Sequence, residues 1–130
     1  MTNPFMWSKL LSIAVGGAAG AVARYALHQS TLRWSFWGLP TGTLLVNLIG
    51  CFLFGFIWAL MGHRLPMGSL WRTGLFVGFL GSFTTFSTLA FETYHLAEDA
   101  MPIMAVLNIA LHGVLGLLLV WGGISLGRSL

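Results

Sequence analysis

Four long apolar stretches separated by short polar breaks dominate the chain, over residues 5–25, 42–61, 72–96 and 102–126. A hydrocarbon core of roughly 30 Å needs about 20 helical residues, so each stretch is long enough to cross a bilayer. The breaks carry the punctuation expected between helices. Residues 33–40 form a tryptophan-bearing loop that ends at Pro40, residues 62–68 hold His63, Arg64 and Pro66, and residues 97–100 hold Glu98 and Asp99. Pro102 then suits the first turn of the last helix. The pattern predicts an all-α integral membrane protein with four transmembrane helices in a single domain over residues 1–130.

The third stretch departs from a uniform apolar run. Gly78-Phe79-Leu80-Gly81-Ser82-Phe83-Thr84-Thr85-Phe86-Ser87-Thr88 places two further helix weakeners and five hydroxyls at mid-membrane. Glycine weakens a helix and serine or threonine hydroxyls compete for its backbone bonds. This run predicts a break near residues 81–85, which membranes tolerate only where protein or a water-filled cavity covers it. Carbonyls freed at such a break can ligate a cation, and the exposed half-helix ends attract ions. The alternative is a kinked packing helix with back-bonded hydroxyls.

Composition agrees with the spans. Only 7% of residues are charged, against roughly 25% in soluble domains, too few to cover a water-facing surface. The net charge of +3 comes from Lys9, Arg24, Arg33, Arg64, Arg72 and Arg128, which are scattered. No basic stripe exists to track a phosphate backbone, which removes nucleic acid as a partner. Lys9, Arg64, Arg72 and Arg128 fall on the side of both termini, Arg24 and Arg33 on the other. So small an excess orients the chain weakly inward and permits insertion both ways. Trp7, Trp34, Trp37, Trp58, Trp71 and Trp121 lie near span ends, as an aromatic belt requires. The Ala21-Val22-Ala23 sequence has the form of a signal-cleavage site, but the segment reads as an uncleaved first helix. Cys51 sits in an apolar run and reads as a small buried side chain.

Polar residues inside the spans are the candidates for chemistry. Asn47, near the middle of the second span, reads as interhelical glue or as a two-donor amide facing an anion. Asn108 and His112, four apart, share a face of the fourth span and read equally as a bundle hydrogen bond or a pathway lining. Arg24 and Glu92 are the charges closest to the spans and either snorkel, pair, or serve a site. Arg24 at a cavity mouth would raise the local anion concentration. Gly16-x-x-x-Gly20 and Gly74-x-x-x-Gly78 give two close-contact faces, for packing within a subunit or between subunits. A lone four-helix bundle leaves little room for a pathway, so transport by this chain would call for oligomerisation. No metal-ligand cluster, nucleophile–base set or phosphate loop is present, and the chain does not read as an enzyme.

Three stretches together resemble the Fluc/CrcB family of fluoride channels: Gly-Ala-Val-Ala-Arg-Tyr at 20–25, Gly-Thr-Leu-Leu-Val-Asn-Leu-Ile-Gly at 42–50, and the hydroxyl-rich run at 78–88. The resemblance implies an antiparallel homodimer of dual topology in the bacterial inner membrane, multi-pass, with two fluoride pores and a structural Na⁺ at the dimer interface. By that match Gly81 and Thr84 would hold the Na⁺ through backbone carbonyls, a donor set suited to a hard, singly charged ion. Asn47, Phe86, Ser87, Thr88, Leu89, Asn108 and His112 would line the fluoride pathway, with Arg24 and Thr43 at its vestibule. Phe86 would offer its ring edge, the positive end of the quadrupole, to the anion. Leu89 stands where a second pore phenylalanine is common, which leaves that fluoride station weaker or purely steric. Ser82 stands where a second glycine is usual and would tighten the break.

The physics supports a passive conductor. Fluoride is small and strongly hydrated, so a pore must replace its water with close donors yet let it leave. Amide, hydroxyls and ring edges do so without a fixed charge, and no carboxylate is placed at mid-membrane to couple a proton gradient. The implied function is fluoride export that lowers the cytoplasmic concentration. The rivals are a small dimeric multidrug or cation transporter, which would want an acid in its first helix where residues 1–28 hold none, and a non-transporting membrane assembly subunit.

Overall fold

The computed structural model describes residues 4–31, 38–63 and 68–130. The expected features at Arg33, Trp34, Trp37, Arg64 and Pro66 lie outside the described residues. The first helix, α1 (Pro4–Thr31), runs unbroken through Ala21-Val22-Ala23 and continues past Tyr25. The second, α2 (Thr41–His63), starts just after Pro40 and holds Asn47 near its middle. The last, α6 (Pro102–Ser129), begins with its proline in the first turn, where the missing N–H costs nothing.

The third span, residues 69–98, is a chain of pieces. It opens with a short α3 (Ser69–Arg72) and continues as a π-helical stretch (Thr73–Leu80), a rare winding with i→i+5 bonds. It returns to α geometry for α4 (Gly81–Phe83), stops, and resumes as α5 (Phe86–Glu98). A tight turn joins α5 to α6. Ala100 adopts the left-handed conformation there at φ 58°, and the Met101 N–H reaches back to the Leu96 carbonyl at 3.0 Å. That pairing closes the helix end as a Schellman motif does.

Packing explains the glycines. The α1 helix lies against the π-helical stretch, and α2 lies against α6. A Cβ built at Gly16 would overlap the Gly74 carbonyl oxygen, and one at Gly20 would overlap that of Phe79. A Cβ at Gly78 would come within 2.8 Å of the Ile13 carbonyl oxygen. The two Gly-x-x-x-Gly faces therefore mate with each other inside one subunit. Such close backbone approach is how helices associate where lipid offers no hydrophobic drive.

The distribution of polarity is inverted relative to a soluble protein. Thr43 and Asn108 are almost fully buried, whereas Val22, Leu117 and Trp121 are exposed on the outer face. All four spans have the length and apolar character to cross a membrane.

Candidate functional site

The site is built around the interruption between α4 and α5. Thr84 and Thr85 leave the helical region for extended backbone, at φ −81°, ψ 157° and φ −149°, ψ 115°. Extended residues within a span strand backbone groups at membrane depth, and each stranded group costs several kcal/mol unless satisfied. Asn47 answers that need from α2. Its Nδ2 donates to the Thr85 carbonyl at 3.0 Å, and its Oδ1 accepts from the Thr85 N–H at 2.8 Å. The amide thus takes the place of the helical bond the Thr85 N–H would have made to the Gly81 carbonyl, and adds a donor to the Thr85 carbonyl. One Nδ2 hydrogen is left over, since an amide carries two.

The same geometry redirects the donors of two carbonyls. In a continuous helix the Gly81 carbonyl would receive the Thr85 N–H, which here goes to Asn47. The Thr84 carbonyl would receive the Thr88 N–H, which here goes to Thr85 Oγ1 at 3.2 Å. Thr85 is therefore the N-cap of α5, and its hydroxyl also meets Thr88 Oγ1 at 2.9 Å and Ser87 Oγ at 3.4 Å. Thr84 folds back, its Oγ1 donating to the Leu80 carbonyl at 3.0 Å. Gly81 and Thr84 are thus two of the residues at the break whose carbonyls lost their usual helical donors.

Two cavities meet at the break. The larger, of about 420 Å³, is lined by Asn47, Cys51, Gly81, Thr84, Thr85, Phe86, Leu89 and His112 among apolar neighbours. The smaller, of about 230 Å³, is lined by Arg24, Tyr25, His28, Thr43, Thr85 and Thr88. Thr85 belongs to both walls. Among the described residues no acidic side chain lines either cavity. Phe86 is 81% exposed, while Leu89 is buried against the bundle.

The structure therefore gathers Asn47, Gly81, Thr84, Phe86, Leu89 and His112 around one space, and Arg24, Thr43 and Thr88 around the other. Two expected residues stand apart. Ser87 is exposed and lines neither cavity. Asn108 is buried and lines neither cavity, donating from Nδ2 to Thr93 Oγ1 at 2.9 Å. Its carbonyl meets His112 Nδ1 at 2.8 Å.

Two residues gain a role that sequence reasoning left open. Thr85 was one hydroxyl among five in the run, and only the backbone geometry marks it as cap and shared wall. Glu92, noted only as a charge near a span, accepts from Thr43 Oγ1 at 2.6 Å with Oε1, and its Oε2 is buried without a hydrogen bond. It neither snorkels nor forms an ion pair among the described residues. Thr43 spends its hydroxyl proton on that carboxylate and has no hydroxyl hydrogen left to offer the smaller cavity.

Known proteins resemble this chain over nearly its whole length. Residues 11–124 match the family described as "CrcB-like protein, Camphor Resistance (CrcB)". A "Fluoride-specific ion channel FluC" of Maridesulfovibrio salexigens is 42% identical over 92% of this chain and 95% of its own length. A protein of the same name from Nitrosococcus oceani is 41% identical over 95% of this chain and 98% of its own. One from Methylococcus capsulatus is 43% identical over 93% of this chain, which spans about half of that relative's length (53%). On the match across all four helices, the break included, the chain belongs to the CrcB-like family.

Proposed function

We propose that the protein is a fluoride-selective passive ion channel that exports fluoride and lowers its cytoplasmic concentration. One observation carries the reading: a broken third span whose hydroxyls, redirected carbonyls, clamped amide and exposed phenylalanine edge a space with no acidic lining. The relatives named as fluoride-specific channels support the choice of ion.

Arg24 draws the anion into the smaller cavity without lying in the narrowest part of the path. Thr88 and Thr85 replace water there with hydroxyls. The spare Asn47 Nδ2 hydrogen and the Phe86 ring edge serve the anion beyond the break. Beyond Arg24 none of these groups is a fixed cation, so the ion is bound weakly enough to leave. Leu89 shapes the wall without a polarised edge.

The working unit is an antiparallel homodimer of dual topology in the bacterial inner membrane. The exposed Phe86 and the single-subunit cavity walls support a second copy completing the path. A structural Na⁺ at the interface is held by the carbonyls of Gly81 and Thr84, whose redirected helical donors fit that role. Native mass spectrometry of the solubilised protein should give twice the chain mass with one sodium bound. The chain mass alone would remove the dimer, and a sodium-free dimer would remove the cation site. C-terminal reporters specific for each side of the membrane should both be active; activity of one alone would rule out dual insertion.

The function itself is tested by flux. Protein in liposomes loaded with potassium fluoride should release fluoride to an electrode when a potassium ionophore is added. Efflux no faster than from protein-free vesicles would end the channel reading.

A further inference from the structure

Two buried polar side-chain atoms lack a hydrogen-bond partner among the described residues, Glu92 Oε2 and His112 Nε2. They belong to groups close enough to interact electrostatically. His112 also lines the larger cavity beside Asn47, Thr85 and Phe86.

The His112 tautomer follows from its other nitrogen. Nδ1 lies 2.8 Å from the Asn108 carbonyl, which only accepts, so Nδ1 carries a hydrogen. In the neutral ring, Nε2 is then a bare lone pair, and it cannot donate to an anion. Adding one proton turns that atom into a charged donor. The same proton offsets the adjacent carboxylate, whose unpaired oxygen otherwise opposes an anion nearby.

We propose that His112 is a proton-dependent anion-binding residue of this channel, able to receive fluoride only when its Nε2 is protonated. The inference rests on the fluoride-channel reading above. The groups that face it are Glu92 on α5 and Cys51 on α2, which lines the same cavity. His28 on α1 acts on Glu92 from the other side, beside Arg24 in the smaller cavity. The proton comes from water and returns to it when the anion departs, and the nearby Glu92 carboxylate keeps the imidazolium from trapping the anion.

The test is fluoride efflux from vesicles buffered identically on both sides, at steps between about pH 5.5 and 8. The leak of protein-free vesicles is subtracted at each step. Protein-mediated efflux should fall about tenfold across that range, following the loss of the proton. His112→Gln, which cannot titrate there, should show a flat profile whatever its rate. A flat wild-type profile, a rise toward alkaline pH, or an unchanged slope in His112→Gln would each overturn the proposal. A second measurement needs no variant: fluoride added to weakly buffered, detergent-solubilised protein should draw protons from solution, by linkage of the two binding events. Absence of that uptake overturns the proposal as well. Efflux that is present but independent of pH sinks this inference alone, whereas no efflux at any pH sinks the channel reading with it.

Discussion

Asn47→Asp should reduce fluoride efflux by about a hundredfold. The substitution keeps the acceptor for the Thr85 N–H but removes the donor to the Thr85 carbonyl. It also places an ionised carboxylate against that carbonyl and beside the anion's path. An uncompensated buried charge costs about 3 kcal/mol or more, and at 1.4 kcal/mol per factor of ten that is about a hundredfold. Asn47→Leu separates the two causes. Leucine has a similar shape and no charge, yet it strands the Thr85 N–H and removes a donor from the Thr85 carbonyl. If the clamp matters by itself, Asn47→Leu also lowers flux and shifts thermal unfolding downward. Efflux from Asn47→Asp within tenfold of wild type would remove Asn47 from both the path and the break.

The largest loss of stability is expected from Gly20→Ala. A methyl group there meets the Phe79 carbonyl and its neighbouring backbone atoms. Backbone cannot rotate aside as a side chain can, so α1 must separate from the π-helical stretch along their whole contact. Overpacking of this kind costs about 1–3 kcal/mol and often more where backbone is the obstacle. Gly122→Ala is the matched comparison, because nothing lies within 4 Å of a Cβ at that position in the subunit. Alanine is also the better helix former, by about 1 kcal/mol. Thermal unfolding in detergent, followed by loss of the monodisperse elution peak, should drop by many degrees for Gly20→Ala and little for Gly122→Ala. Equal midpoints for Gly20→Ala and wild type would mean that close approach does not hold α1 in place.

Much of this fold is written in the sequence because lipid imposes blunt rules. Runs of about 20 apolar residues become spans, and all four are present. The break was legible too, because glycines and hydroxyls crowded into residues 78–88 work against any regular helix. The structure narrows it to Thr84 and Thr85 and leaves Gly81 helical. Other features could not be read. The π-helical winding has no distinctive composition in Thr73–Leu80. A Gly-x-x-x-Gly face states that something approaches closely without naming it, so the mating of Gly16 and Gly20 with the third span required coordinates. The partner of Asn47 was hidden for a related reason: a lone amide in a span needs a hydrogen bond, and nothing in the sequence shows that the irregular backbone itself supplies it. Thr43 read as vestibule lining, but its hydroxyl is committed to Glu92, a pairing across 49 positions that no local pattern encodes.

The clamp between Asn47 and Thr85 also bears on how the protein is made. Hydrocarbon leaves the Thr85 N–H no other partner in the span, so the broken third helix is not a membrane-stable element by itself. It becomes one only when α2 is already beside it. Synthesis from the N-terminus delivers α2 first, and the loop between the two spans is short. Chain order therefore protects the broken segment during insertion, and Asn47 serves as an assembly checkpoint.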